Sequence, residues 1–149
     1  MDSNELKAQI IEGIEKEHRG KMDDGVLDAA LQKMQLTETK YHATGSILTV
    51  FLYSRVYCDI DDKVYGAKFT GNAGGIGSVG GGALIGDVYT DDIERLLKET
   101  HSFEVNATNV YTSFLFFDKH SNLLGHFQAG AVSLSCGIFG GTGSWERHK

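Results

Sequence analysis

Gly75, Gly77 and Gly80 stand at the spacing G-x-G-x-x-G inside "FTGNAGGIGSVGGGALIGDVYTDD", residues 69–92. Such spacing lets a backbone close on a dinucleotide pyrophosphate when a strand leads in and a helix N-terminus follows. Here "GGALIGDVYT" follows, two more glycines and a short apolar run that cannot start a helix. The acid that would hold a ribose about 20 residues on falls near Glu94, inside a short helical stretch and not at a strand end. A P-loop's Gly-Lys-Ser/Thr is absent from the run. The glycines are therefore read as structural. Within a strand they admit a neighbouring backbone or a bulky ring, and they allow the bulges and coiling of a small barrel.

Other reactive side chains lack a partner at useful spacing. His18, His42, His101, His120, His126 and His148 contain no pair at metal-ligand spacing. His126, in "LLGHFQAG", reads as a packed or surface strand residue. Asp59, Asp61 and Asp62 resemble the start of a calcium loop but lack its glycine and later glutamate, so a hairpin turn explains them. "GTGSW" (residues 141–145) approaches a nucleophile elbow without its last glycine or following helix. Asn106-Ala107-Thr108 is a glycosylation sequon, read as a strand-end turn. Cys58 and Cys136 form no C-x-x-C or zinc pattern and read as half-buried small side chains, with a disulfide between them left open. No catalytic, cofactor-binding or metal-binding residue is assigned, no cofactor is expected, and the chain is read as a non-enzyme.

The elements that hold these residues divide at about residue 40. Every Phe, Tyr and Trp lies at Tyr41 or later. Before that point Leu6, Ile10 and Ile14, with Ile11 beside them, and then Leu27, Leu31 and Met34, recur at helical spacing around the turn-like "HRGKMDDG". Two narrow apolar stripes cannot build a core of their own. Residues 1–40 are thus expected to be an arm, partly helical, that is flexible or docks on the remainder, with residues 41–149 forming a β-barrel domain.

Strand formers dominate from Tyr41. "SILTVFLYSRVYCDI" (46–60) reads as one strand, with "KVYGAKFT" returning as its hairpin partner after a turn at 61–63. "NVYTSFLFF" and "LLGHFQAGAVSLS" repeat the pattern around "DKHSN". One short helix interrupts, near Asp91 to Glu99, with Thr90 or Asp91 as N-cap and Ile93, Leu96 and Leu97 on its apolar face. A shift of 59 positions aligns Thr49 with Thr108, Ser54 with Ser113, Asp59 with Asp118, Gly66 with Gly125, Gly71 with Gly130, and Gly81-Gly82 with Gly140-Gly141. Two units of about four strands each cannot bury their faces alone. Closed on one another with the helix between them, they give an eight-stranded antiparallel barrel or tight sandwich without open edges. Its glycine-rich strands must face the aromatic side chains, so the barrel is expected to be filled.

Bulk properties narrow the partners. The chain has 149 residues, 19 glycines, no proline and a net charge of -6. It has no basic stripe for a phosphate backbone, which argues against nucleic acid. No signal peptide opens it and no run nears the ~20 apolar residues of a spanning helix, so it reads as soluble, cytoplasmic if Met1 is the native start. Electrostatic attachment to anionic lipid at neutral pH should be weak and should rise on acidification.

Read in order, "GGGALIGDVYTDDIERL", "SFEVNAT", "FFDKHSNLLGHFQAGAVS" and "GGTGSW" resemble the virulence-associated (Vap) proteins of rhodococcal intracellular pathogens. The resemblance runs from about residue 45 to 145, with "NLLGHFQAGAVS" (122–133) its most specific part. It implies a compact eight-stranded barrel of two Greek-key-like halves with one short helix, filled and without an obvious ligand pocket. It also implies a secreted or surface protein that supports persistence in macrophage phagosomes, with a host protein or membrane lipid as target. No catalytic residue is carried over. The first 40 residues depart from the family, whose members open with a signal peptide and a variable, mostly disordered segment. The resulting expectation is a non-enzymatic barrel acting by surface contact. A lipocalin- or avidin-like ligand barrel, a cytosolic interaction module on the same barrel, and a nucleotide-dependent enzyme are the alternatives.

Overall fold

The computed structural model describes residues 2–50, 52–74, 83–131 and 137–148, and within them eight strands close into one antiparallel barrel. Two helices come first, α1 (Ser3–His18) and α2 (Asp24–Leu36). Both start where an aspartate can satisfy a free N–H of the first turn. Asp2 accepts from the Glu5 N–H at 2.8 Å, and Asp23 accepts from the Val26 N–H at 3.0 Å. Gly20, at φ +86°, turns the chain between them, a conformation that side chains on a Cβ disfavour.

The strands are β1 (Lys40–Val50), β2 (Tyr53–Ile60), β3 (Ala67–Gly74), β4 (Ala83–Tyr89), β5 (Ser102–Ala107), β6 (Tyr111–Phe117), β7 (Leu123–Gly130) and β8 (Gly137–Arg147), with α3 (Ile93–Glu99) between β4 and β5. Residues 46–60, expected as one strand, are two: Thr49 opposes Ser54 and Val50 opposes Tyr53. Strand-forming composition gives no warning of this reversal, because "VFLY" holds none of the Gly, Asn or Asp of a tight hairpin. The hairpin partner of "KVYGAKFT" is the second of these two strands, β2, and Asp62 closes their connection by accepting from the Val64 and Tyr65 N–H groups at 3.0 and 2.8 Å.

Around the barrel the order is β1-β2-β3-β8-β5-β6-β7-β4, and β4 pairs back with β1. In each half the fourth strand lies beside the first, the Greek-key order. The halves meet at β3–β8 and β4–β7, so no edge strand remains among the described residues. The repeat holds for element order and not for register. Thr49 opposes Ser54, whereas Ser113 opposes Asn106 and not Thr108. Two residues join β1 to β2 and three join β5 to β6, so a constant shift cannot preserve the pairing. The helix cap also moves: Asp92, not Thr90 or Asp91, accepts from the Arg95 N–H at 3.1 Å.

Rings fill the interior. Phe69 sits 5.0 Å from Phe116 and 5.4 Å from both Phe103 and Trp145, centroid to centroid. Phe114 and Phe127 lie 5.0 Å apart. Glycines make room for them. A Cβ on Gly71 would stand 2.5 Å from Phe103 and 2.7 Å from Phe69, and one on Gly143 would stand 2.5 Å from Phe69. Gly75, Gly77 and Gly80 themselves lie outside the described residues. The run that contains them leads into β4, a strand rather than the helix that a pyrophosphate site requires.

A second apolar layer lies outside the barrel. Ile10 and Ile14 of α1 and Leu27, Leu31 and Met34 of α2 pack with Tyr111 and Leu115 of β6 and Leu123 of β7. An exposed outer face would leave every second residue of β6 in solvent, yet all but Phe117 are buried. The helical stripes thus find in the outer face of β6 and β7 the surface they cannot make for each other.

Candidate functional site

The topology sorts the connections into two ends of opposite character. At one end lie the ends of β1, β3, β5 and β7 and the starts of β2, β4, β6 and β8. The stretches 48–54, 74–84, 107–111 and 130–138 contain no Asp, Glu, Lys or Arg. Leu48, Leu52 and Tyr53 of the β1–β2 hairpin are 54%, 74% and 54% exposed. Val110 and Ile138 are also exposed there, although α1 brings Glu12, Lys16 and Glu17 alongside them. The β1–β2 side is therefore the more apolar part of this end.

The opposite end is charged. It carries Asp61, Asp62 and Lys63, then α3 with its flanks, then Asp118 to Asn122. Asp118 organises the last of these loops. Its carboxylate accepts from the His120 and Asn122 N–H groups at 2.8 and 2.9 Å, from the Asn122 amide at 3.1 Å, and from Arg95 at 3.0 Å. Burial raises the affinity of this group for a proton, but the hydrogen bonds from Asn122 and His120 and the charge of Arg95 outweigh it and hold the carboxyl below its ordinary value. A cleft of about 460 Å³ lies here between Arg95, Lys98, Glu99, His101, Lys119 and His120. A second, of about 570 Å³, separates α2 from residues 120–123. Both lie outside the barrel wall, and the barrel axis is occupied by rings. Among the described residues no hydrogen bond joins a hydroxyl to a histidine or carboxylate in either cleft.

A polar seam runs beneath α1. Phe127 and Ala129 of β7 point into the barrel, so His126 and Gln128 point outward, toward the helices. His126 stacks on Tyr89 of β4 at 5.1 Å. Its Nε2 donates to Gln128 Oε1 at 2.9 Å, and the Gln128 amide nitrogen donates to the Ser3 carbonyl at 3.0 Å. Lys7 lies over the Tyr89 ring, 4.0 Å from its centroid, and donates to the Thr37 carbonyl. Burial lowers the Lys7 amine, partly offset by Glu38. Burial also lowers His126, to about 4; the Gln128 hydrogen bond opposes this and the Lys7 charge adds to it. At the other end of α1, His18 Nε2 meets Glu104 Oε1 at 2.7 Å.

The remaining residues singled out above fall apart in space. His126 is packed, as the strand context suggested. His148 pairs with Asp59 at 2.8 Å on the surface. Asn106 is not in a turn; it lies within β5, 2% exposed, with its amide on Glu104 at 3.0 Å. A sugar could not be attached there in the folded state. Thr108 forms the turn instead, accepting from the Val110 and Tyr111 N–H groups. "GTGSW" is part of β8, and Trp145 is buried against Phe69 and Phe116. Cys58 is fully buried, and Cys136 lies outside the described residues. Lys7, Tyr89 and Gln128 drew no attention in the sequence. The available signal was "YTSFLFF", apolar on both faces, which requires a cover outside the barrel.

Comparison with known proteins gives one family. A family model described as Rhodococcus equi virulence-associated protein matches residues 2–146. The virulence-associated protein VapB of Rhodococcus equi is 38% identical, with a TM-score of 0.65, over 74% of this chain and 98% of its own. The VapD structure from the same organism is 34% identical, with a TM-score of 0.69, over 74% of this chain and 99% of its own. No curated protein matches. The family match begins at residue 2 and so includes the two N-terminal helices, whereas the two solved structures cover 74% of the chain. With a filled barrel in Greek-key order and a family match from one end to the other, the chain belongs to the family of Rhodococcus equi virulence-associated proteins.

Proposed function

We propose that the chain works without catalysis, as a secreted or surface-held contact protein whose apolar β1–β2 tip meets a host membrane and supports intracellular persistence. The segregation of charge along the barrel carries this reading. The four stretches that join the strands at one end carry no formal charge in sequence, and Leu48, Leu52 and Tyr53 stand exposed there. A bilayer interface accepts apolar side chains with an amphipathic tyrosine at the headgroup level and penalises buried charge. A net charge of -6 gives no general attraction to anionic lipid, so contact rests on apolar burial.

Flotation with phosphatidylcholine vesicles at low and high salt tests the proposal. Binding is expected to be independent of salt, and Leu48→Asp with Leu52→Asp is expected to weaken it by about tenfold or more, since burying a leucine contributes ~1.5–3 kcal/mol. Binding abolished by salt, or indifferent to these substitutions, would contradict it. Absence of vesicle binding, with saturable capture on a host protein blocked by the same substitutions, would assign the surface to a protein partner instead.

A further inference from the structure

We propose that the α1–α2 hairpin is an acid-released cover, docked over the outer face of β6 and β7 at neutral pH and lifted from an intact barrel when the seam beneath it takes up a proton. The barrel interior and the seam differ in polar content, although Thr112 Oγ1 and Trp145 Nε1 of the interior also lack a hydrogen-bond partner among the described residues. Inside, ring packs against ring. Under the hairpin, His126, Gln128, Ser113 and Lys7 are buried among the apolar contacts, and the Ser113 hydroxyl has no hydrogen-bond partner among the described residues. A seam that buries polar side chains, one of them unpartnered, holds less firmly than an apolar one. The connection that would hinge the hairpin is short, residues 37–39, and the Lys7 amine is tied to it through the Thr37 carbonyl.

His126 is the group that senses acid. It is 1% exposed, and the groups facing it are Tyr89 from β4, Gln128 from its own strand and Lys7 from α1, with Glu38 and Lys40 acting on Lys7. Lys7 is the only charged side chain acting directly on it among these, and it is positive. A second positive charge beside it, out of water, is unfavourable. Lifting α1 returns both groups to solvent. The opposite end of α1 is held by the 2.7 Å contact between His18 Nε2 and Glu104 Oε1. Release therefore starts at the Lys7 end. It uncovers Tyr111, Leu115 and Leu123, an apolar strip on an otherwise folded barrel.

The sign follows from linkage. A histidine whose docked value lies near 4 binds protons more weakly docked than free, where ~6.5 applies. Docking is thus at full strength above about pH 6.5 and weakens as pH falls toward 4. At pH 5 the docking equilibrium drops about 30-fold. Amide hydrogen exchange of the full chain at pH 7 and pH 5, normalised for intrinsic rates, reads this. Residues 3–36 are expected to lose protection by about 30-fold while β1 to β3 keep theirs. His126→Gln, which stays neutral, should abolish the change, and Lys7→Met should reduce it. If His126→Gln already loosens the hairpin at pH 7, His126→Phe, which cannot take up a proton and keeps a ring against Tyr89, decides. Protection of residues 3–36 that is unchanged at pH 5, lost together with the barrel, or lost equally in His126→Gln would overturn the proposal.

Discussion

Replacing Gly71 by alanine places one methyl where two buried rings already stand. Its carbon would lie 2.5 Å from Phe103 and 2.7 Å from Phe69, and neither ring can swing away. Phe69 is fully buried and held by Phe103, Phe116 and Trp145, and Phe103 is 3% exposed. Overpacking of this kind costs roughly 1–3 kcal/mol. Against it stands ~0.4–1 kcal/mol from the stiffer unfolded chain. The net loss is about 1–2 kcal/mol, or a fall of about 3–8 °C in Tm for a chain of this length. Thermal unfolding followed by circular dichroism measures it. Gly130→Ala is the control, because no described atom lies within 4 Å of its Cβ position, and its Tm should hold or rise slightly. Phe103→Leu removes the nearest obstructing atom, so Gly71→Ala on that background should cost less than on the wild type, with a coupling of about 1 kcal/mol. An unchanged Tm for Gly71→Ala, or strict additivity of the two, would refute the view that glycines are there to admit the rings.

Asp118→Asn removes the charge that accepts from Arg95 and two backbone N–H groups, and should cost about 2–3 kcal/mol in denaturant unfolding. Because the folded carboxyl is held below its ordinary value, its contribution is present above about pH 4 and is lost as pH falls through the folded value. The wild type should therefore lose stability more steeply than the variant below pH ~4. Cys58 is fully buried, and burial pushes its thiol up. In a Cys136→Ser background its reaction with a disulfide reagent should follow global unfolding, and rapid labelling of the native protein would contradict that burial.

The barrel was legible because its determinants are local and compositional. Strand formers begin at Tyr41, one residue after β1 starts, and a capped helix stands between two glycine-rich halves. The reversal at residues 51–52 was not, since pairing places it and no turn residue marks it. Asn106 looked like a turn residue because a sequon says nothing of which way an amide points along a strand. The seam was hidden for a different reason. His126, Tyr89 and Lys7 come from three separate elements, and only the outward phase of β7 brings them together. The four stretches without charge are visible in the sequence only as separate segments, and the Greek-key order brings the strand ends that they join to one end of the barrel.

Amide signals of the isotope-labelled chain, recorded with vesicles carrying a paramagnetic lipid, test the proposed surface most directly. Broadening at Leu48, Leu52 and Tyr53, with residues 61–66 and 118–122 unaffected, is the predicted result. Broadening centred on the charged end, or none at lipid concentrations that float the protein, would contradict it.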